Sequence, residues 1–150
     1  MKILKYFFIF FLWQSQAQEL KTVLIDELDY EINSDSTLII VKKDNKLLNG
    51  KYKVVVNSEE YAISEWKNGK MTGVVESYNK GVLNGTTEYK DGLKNGYEIV
   101  YRGKEIMWKI NYVNGVRHGH TWWGDVGDEY YINGIKSTKF EFEEYERKNK

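Results

Sequence analysis

Apolar and polar side chains alternate along much of the chain after residue 50. The clearest alternation predicts two opposite faces of one strand. One face would carry Ile106, Trp108, Ile110 and Tyr112, and the other Met107, Lys109 and Asn111. A period of two is typical of a half-buried β-strand, because successive side chains point to opposite faces. Similar alternation predicts strands at 52–56, at 97–101 and around Phe140 and Phe142.

Glycines divide these predicted strands at even intervals. Gly69, Gly81, Gly92, Gly103 and Gly115 are separated by 12, 11, 11 and 12 residues. Several have a second glycine four residues later, and most follow an aromatic residue by three positions. The repeat positions are Trp66, Gly69, Gly73, Tyr78, Gly81, Gly85, Tyr89, Gly92, Gly96, Tyr112, Gly115, Gly119, Tyr131 and Gly134. Self-similarity at a fixed period is the signature of a repeat architecture.

The dipeptides at these glycines favour tight hairpin turns. Asn68-Gly69, Asp91-Gly92, Asn114-Gly115 and Asn133-Gly134 suit the type I′ turn, in which both central residues take positive φ. A strand of about five or six residues and a turn of similar length would fill one period. Short connections make neighbouring strands antiparallel. We therefore predict an all-β fold, an elongated antiparallel meander of short hairpin repeats. The second glycine of a pair should leave room for an aromatic ring of the adjacent repeat.

The ends of the chain differ from the repeats. Residues 1–17, MKILKYFFIFFLWQSQA, have the basic start, short apolar run and small final residues of a signal peptide. Residues 18–48 should form an irregular N-terminal capping segment, with a strand over 38–41, a turn at 43–46, and either a strand or a short helix before them. The repeat domain is predicted at 49–138. Residues 139–150 are predicted to form a terminal strand and a charged tail.

Three segments resemble the repeats of bacterial MORN-repeat variants: EWKNGKMTGVVESY, SYNKGVLNGTTEYKDGLKNGYEIVY and NYVNGVRHGHTWW. The resemblance covers about residues 48–136. It implies a repetitive, usually elongated antiparallel sheet that binds or scaffolds other molecules, and some bacterial members carry an antitoxin label. The chain departs from the pattern between Gly103 and Met107, where the second glycine is absent, and again from Gly124 to Asp128.

Composition narrows the functional classes. The chain balances 22 basic against 22 acidic residues, and no basic face is large enough to indicate nucleic-acid binding. It has no cysteine, which excludes disulfides and thiolate metal sites. No nucleophile–base arrangement and no phosphate-binding glycine loop before a helix is present. We therefore expect a protein that is not an enzyme and uses no cofactor.

The two histidines, His118 and His120, would face the same way on a strand, a spacing compatible with metal binding. Nearby carboxylates could complete such a site: Asp125, Asp128 and Glu129. The favoured alternative is that His118 fills the turn position that Asn84 and Asn95 occupy in other repeats. A metal site needs three or four convergent ligands, so we predict no metal site.

Aromatic residues carry the functional prediction. The recurring rings should form ladders that hold the repeats together: Trp66, Tyr78, Tyr89, Tyr101, Tyr112, Trp123 and Tyr131. Trp122 and Trp123 cannot both face inward on one strand, so one should reach solvent and mark a contact surface. The candidate binding residues are Trp122, Trp123 and Tyr130.

The resulting functional prediction is a non-catalytic binding module. The expected partner is a macromolecule, in the first place a protein and alternatively a glycan of the cell wall that stacks on an exposed tryptophan. Nucleic acid is not expected, and neither is stable membrane insertion after the signal peptide is removed. The signal peptide predicts export to the periplasm or to the outside of the cell.

Overall fold

The computed structural model describes residues 20–32 and 39–150. The predicted signal peptide at 1–17 lies outside the described residues, and so does the start of the strand predicted at 38–41. The strands are β1 Lys21–Leu24, β2 Asp29–Ile32, β3 Ile39–Lys43, β4 Lys46–Leu47, β5 Gly50–Val55, β6 Glu60–Lys67, β7 Lys70–Asn79, β8 Val82–Lys90, β9 Leu93–Arg102, β10 Glu105–Val113, β11 Val116–Trp122, β12 Asp128–Ile132 and β13 Ile135–Ser137. One α-helix, α1, spans Lys139–Lys148, and short 3-10 turns lie at Ile25–Glu27 and Gly124–Val126.

A ten-stranded sheet dominates these elements. From β5 to β13 every strand pairs antiparallel with the next one in the chain, and β1 joins the first edge parallel to β5. The predicted antiparallel meander is therefore confirmed. The predicted strand length was wrong, because β7 and β9 have 10 residues each. A type I′ turn needs only two residues between strands, so nearly the whole period enters the sheet.

Successive turns lie at opposite ends of the strands, because each period holds one strand. The Asn-Gly and Asp-Gly turns therefore collect at one end, and the turn at Lys80-Gly81 lies at the other. In the first of them Asn68 and Gly69 have φ values of 51° and 76°, as the type I′ turn requires. A hairpin of two periods is thus the unit that repeats along the sheet.

The second glycine of most pairs lies directly across from an aromatic residue of the next strand. Three cross-strand pairs show this: Gly73 with Tyr89, Gly96 with Tyr112, and Gly119 with Tyr131. The register thus places an aromatic residue opposite each of these glycines, but the space above them is bordered first by the Glu65, Glu88 and Asn111 side chains. At Gly85 the expectation was wrong, since its partners are Ser77 and Val100.

The N-terminal segment caps the first hairpin, as predicted. Strands β2, β3 and β4 form a separate small sheet, and the segment predicted as a strand or a short helix consists of β1, a 3-10 turn and β2. The turn predicted at 43–46 is confirmed by Asp44 and Asn45, which both have positive φ. A core cluster joins the cap to the large sheet: Val23, Leu28, Val41, Leu48, Val54 and Trp66.

The strand predicted around Phe140 and Phe142 was wrong, because these residues belong to helix α1. Thr138 begins the helix: its hydroxyl accepts the Glu141 N–H at 3.2 Å, and the Glu141 carboxylate accepts the Thr138 N–H at 2.8 Å. This capping box satisfies donors that the first helical turn leaves unpaired. The alternating phenylalanines fit a strand equally well, so periodicity alone could not reveal the helix.

Candidate functional site

The large sheet has two faces that can be followed residue by residue. On one face, direct cross-strand partners form a continuous row: Lys53, Ile63, Glu76, Thr86, Ile99, Lys109, Trp122 and Asp128. We call this the Lys109 face. A parallel row marks the other face, which we call the Trp108 face: Val54, Ala62, Ser77, Gly85, Val100 and Trp108.

Trp122 and Trp123 lie on different faces. Trp122 is the cross-strand partner of Asp128, whereas the Trp123 indole donates to the next residue of β12, Glu129, at 2.7 Å. Successive residues of a strand point to opposite faces. Both tryptophans are half-buried, so neither alone is the solvent-exposed one that the sequence suggested.

On the Lys109 face, Trp122 borders a hollow of about 280 Å³ that we call the Trp122 depression. Its lining residues are Tyr97, Lys109, Asn111, His120 and Trp122. The Lys109 ammonium lies 3.8 Å from the centre of the Tyr97 ring, a distance at which a cation is attracted by the aromatic face. The Asn111 amide donates to the His118 carbonyl at 2.7 Å, which fixes its orientation and leaves its own oxygen as an acceptor.

On the Trp108 face, an apolar surface surrounds the loop between β11 and β12. We call it the Trp123 corner, and its apolar residues are Met107, Trp108, Trp123 and Val126. The Trp108 and Trp123 rings lie 6.2 Å apart at 47° and border a hollow of about 470 Å³. Val126 is 89% exposed. The corner coincides with the segment where the chain departs from the repeat, since the 3-10 turn at Gly124–Val126 replaces a two-residue turn.

Polar contacts hold Trp123 in place. Glu129 accepts hydrogen bonds from the Trp123 indole at 2.7 Å and the Tyr131 hydroxyl at 2.9 Å, and it pairs with Lys136 at 2.5 Å. These contacts lower the pKa of Glu129 to about 2. The Lys136 ammonium makes the largest contribution, and the hydrogen bonds from Trp123 and Tyr131 add to it. The Arg117 guanidinium lies 5.4 Å from the Trp123 ring centre. Glu129 and Arg117 therefore fix the position of the Trp123 indole, which stays half-buried at the surface.

The histidines serve separate roles. The His118 Nδ1 faces the Asn133 N–H at 3.3 Å, just as the Asn95 side chain accepts the Asn114 N–H at 3.1 Å. His118 therefore occupies the position equivalent to Asn95, as predicted. It is not equivalent to Asn84, which lies at the opposite end of the strands. His120 instead contacts Asp128 at 2.7 Å. Within the residues that the structure describes, no three potential metal ligands come together.

Tyr130, the third candidate residue, lies beside the depression and beneath the C-terminal helix. Its ring centre is 5.2 Å from that of His120 and 5.8 Å from that of Phe142. Helix α1 also places Phe142 and Tyr145 against His118, with ring centres 5.8 and 5.7 Å away. The helix thus covers the part of the Lys109 face next to the Trp122 depression, which the sequence did not predict.

Cations lie over several aromatic rings of the sheet, among them the recurring Tyr112. Lys94 lies 4.9 Å from the Tyr112 ring centre, and Lys53 lies 4.0 Å from that of Tyr61. Rings at equivalent positions are two strands apart, roughly 9.6 Å at ~4.8 Å per strand, and cannot stack directly. The one stacked pair among the described residues is Tyr61 with Tyr78, at 4.8 Å and 9°. No sequence pattern marks Tyr61, Tyr97 or Lys109 as site residues, because their contacts follow from the register of the sheet.

Neither the length of the helices nor similarity to known proteins adds information about the function of the chain. None of the helices in the described part of the chain is both long and apolar enough to cross a bilayer. No protein-family model matches the chain, and neither a curated protein nor a solved structure matches it.

Proposed function

We propose that this chain is an exported, MORN-like repeat protein that binds a protein partner at the Trp123 corner and catalyses no reaction. The periodic glycines and aromatics support the MORN-like assignment, and the leader sequence supports export to the periplasm or beyond. The site has the character of a binding surface, because Glu129 and Arg117, the charged groups in contact with Trp123, hold the indole in position.

A single observation carries this proposal: Val126 is 89% exposed beside two half-buried tryptophans. Tryptophan is enriched among the residues that dominate binding energy, above all where a partner can exclude water around it. The loop that carries Val126 is an irregular insertion in an otherwise regular sheet, and binding residues are disproportionately placed on loops held by a rigid scaffold.

The proposal is tested by a matched pair of charge substitutions. Val126→Asp places a carboxylate in the corner, while Ile135→Asp places one at another exposed apolar position, 75% exposed, beyond β12. Immobilised protein is used to capture partners from the periplasmic and secreted fractions of the native cell, followed by quantitative mass spectrometry. We expect a specific protein that is retained by the wild type and by Ile135→Asp but lost by Val126→Asp. Equal retention by all three proteins would overturn the proposal.

A second candidate function is glycan binding at the Trp122 depression. The observation that favours it is a half-buried tryptophan next to amide, imidazole and ammonium groups in one hollow of about 280 Å³. Pockets for small ligands combine aromatic walls with a few placed polar groups in this way. Here Trp122→Ala should abolish retention on cell-wall polysaccharide while Val126→Asp leaves it unchanged. Polysaccharide retention that survives Trp122→Ala but is lost in Val126→Asp would exclude glycan binding at the depression. The first proposed function would then remain.

A further inference from the structure

The charge of the Trp122 depression comes from one side chain without a counter-ion. Lys109 lines the hollow, and its ammonium is not among the ion pairs formed within residues 20–32 and 39–150. The nearest acidic group on its row, Asp128, is already in contact with His120 at 2.7 Å. The hollow therefore contains a positive charge that has no carboxylate of the described residues within ion-pair distance.

The position of this charge relative to the aromatic wall is fixed by the sheet. Lys109 and Trp122 are direct cross-strand partners, which sets their Cβ atoms about 5 Å apart. Asn111 and Tyr97 form the equivalent pair with the next strand. The Tyr97 ring holds the ammonium at 3.8 Å, so the cation stays over the sheet within the hollow instead of extending into solvent.

We infer that the Trp122 depression binds a sugar ring that carries a carboxylate, such as a uronic acid within an acidic polysaccharide. The apolar face of the ring would lie against Trp122, and its carboxylate would pair with Lys109 through charge-assisted hydrogen bonds. The free oxygen of Asn111 is available to accept from a ring hydroxyl. This inference rests on the second proposed function, of which it specifies the ligand class.

Size and position favour a sugar over a peptide. At about 280 Å³ the hollow lies just below the roughly 300–1,000 Å³ typical of drug-sized ligands, which suits one ring. A peptide strand would add to a sheet edge, but β10 and β11 are interior strands paired on both sides. The depression therefore offers side chains and no free backbone groups.

The test titrates the full-length protein with oligouronides of galacturonate, glucuronate and mannuronate, and with their methyl esters, which keep the ring and remove the charge. Binding is followed by calorimetry and by tryptophan fluorescence. We expect at least one acid to bind about tenfold more tightly than its ester, because an ionic hydrogen bond is lost in the ester. Lys109→Gln should remove this preference.

A matched control and a second readout keep each result informative. Lys53→Gln removes an ammonium that lies over a tyrosine on the same face, 4.0 Å from the Tyr61 ring centre, and should leave binding unchanged. Trp122→Ala should abolish binding. Should that variant fail to fold, the Trp122 indole N–H resonance of the wild type must shift during titration.

The outcomes separate the ligand class from the glycan function itself. Equal affinity for acids and esters would overturn the acidic class while glycan binding stands. No binding across the panel, or binding unaffected by Trp122→Ala with an unmoved indole resonance, would overturn both. A polyglutamate peptide that competes as well as the oligouronides would show a general anion site and overturn the sugar.

Discussion

Gly96 of β9 is the direct cross-strand partner of Tyr112 of β10, and its backbone has φ of 111°. A Cβ atom built there would clash with the Glu88 carboxylate and approach the Glu88 Cβ to 2.9 Å. The position thus excludes a side chain twice, once by its backbone conformation and once by the neighbouring strand. The sequence suggested an aromatic ring against this glycine, and the structure adds a carboxylate on its other side.

Gly96→Ala should therefore destabilise the protein more than Gly81→Ala does. Both glycines have positive φ, but nothing lies within 4 Å of a Cβ at Gly81. We expect a cost of about 1 kcal/mol or more at Gly81 from backbone strain and a larger one at Gly96. Urea unfolding gives both values. Adding Glu88→Ala should recover part of the excess at Gly96, and equal losses at the two glycines would contradict the steric explanation.

His118 and His120 should differ in their contributions to stability. The His118 side chain is 15% exposed, faces a backbone N–H and packs against helix α1, while that of His120 is 49% exposed. We expect His118→Ala to cost about 1–3 kcal/mol, since the Asn133 N–H loses its acceptor, and His120→Ala to stay within about 0.5 kcal/mol. Thermal melts with and without Zn²⁺ measure this difference. A rise in melting temperature with Zn²⁺ that both substitutions remove would instead indicate a metal site.

Acid should weaken the Trp123 network through Glu129. The pKa of Glu129 in the folded protein is lowered from its ordinary value of 4.5 to about 2, so its ionised form is favoured by folding. This contribution to stability is present above pH 4.5 and is lost progressively as pH falls toward 2. Chemical unfolding measured at several pH values should show a smaller acid-dependent loss for Glu129→Gln than for the wild type. Glu105→Gln serves as the control, and the same acid-dependent loss in both variants would contradict the assignment.

The capping box of helix α1 is a separate target. Thr138→Ala removes the hydroxyl that accepts the Glu141 N–H and should destabilise the helix by about 1 kcal/mol. Thr138→Ser keeps the hydroxyl and should change little. The far-ultraviolet circular dichroism signal of the helix, followed during heating, distinguishes the variants. Because α1 covers His118 and Tyr130, its loss should also increase the exposure of that end of the Lys109 face.

Much of the fold was predictable because its signals are local. The positive φ of an Asn-Gly turn and the alternation of a half-buried strand are properties of adjacent residues, and the even spacing of Gly69, Gly92 and Gly115 makes them repeat. The C-terminal helix escaped prediction for the same reason, since the alternating Phe140 and Phe142 suit a strand locally. The Thr138-x-x-Glu141 capping box is a local signal that favours the helix and was overlooked, and the packing of Phe142 on Tyr130 adds to it in the folded protein.

At the candidate sites, too, some features follow from the sequence and others only from the assembled sheet. The sequence by itself determined that Trp122 and Trp123 must point in different directions, because side chains alternate along a strand. Only the tertiary structure decided what each meets, since Lys109 and Glu129 reach them from neighbouring strands through the register of the sheet. Register depends on bulges and turns far along the chain, so the partners of a side chain follow from the assembled sheet and not from the residues beside it.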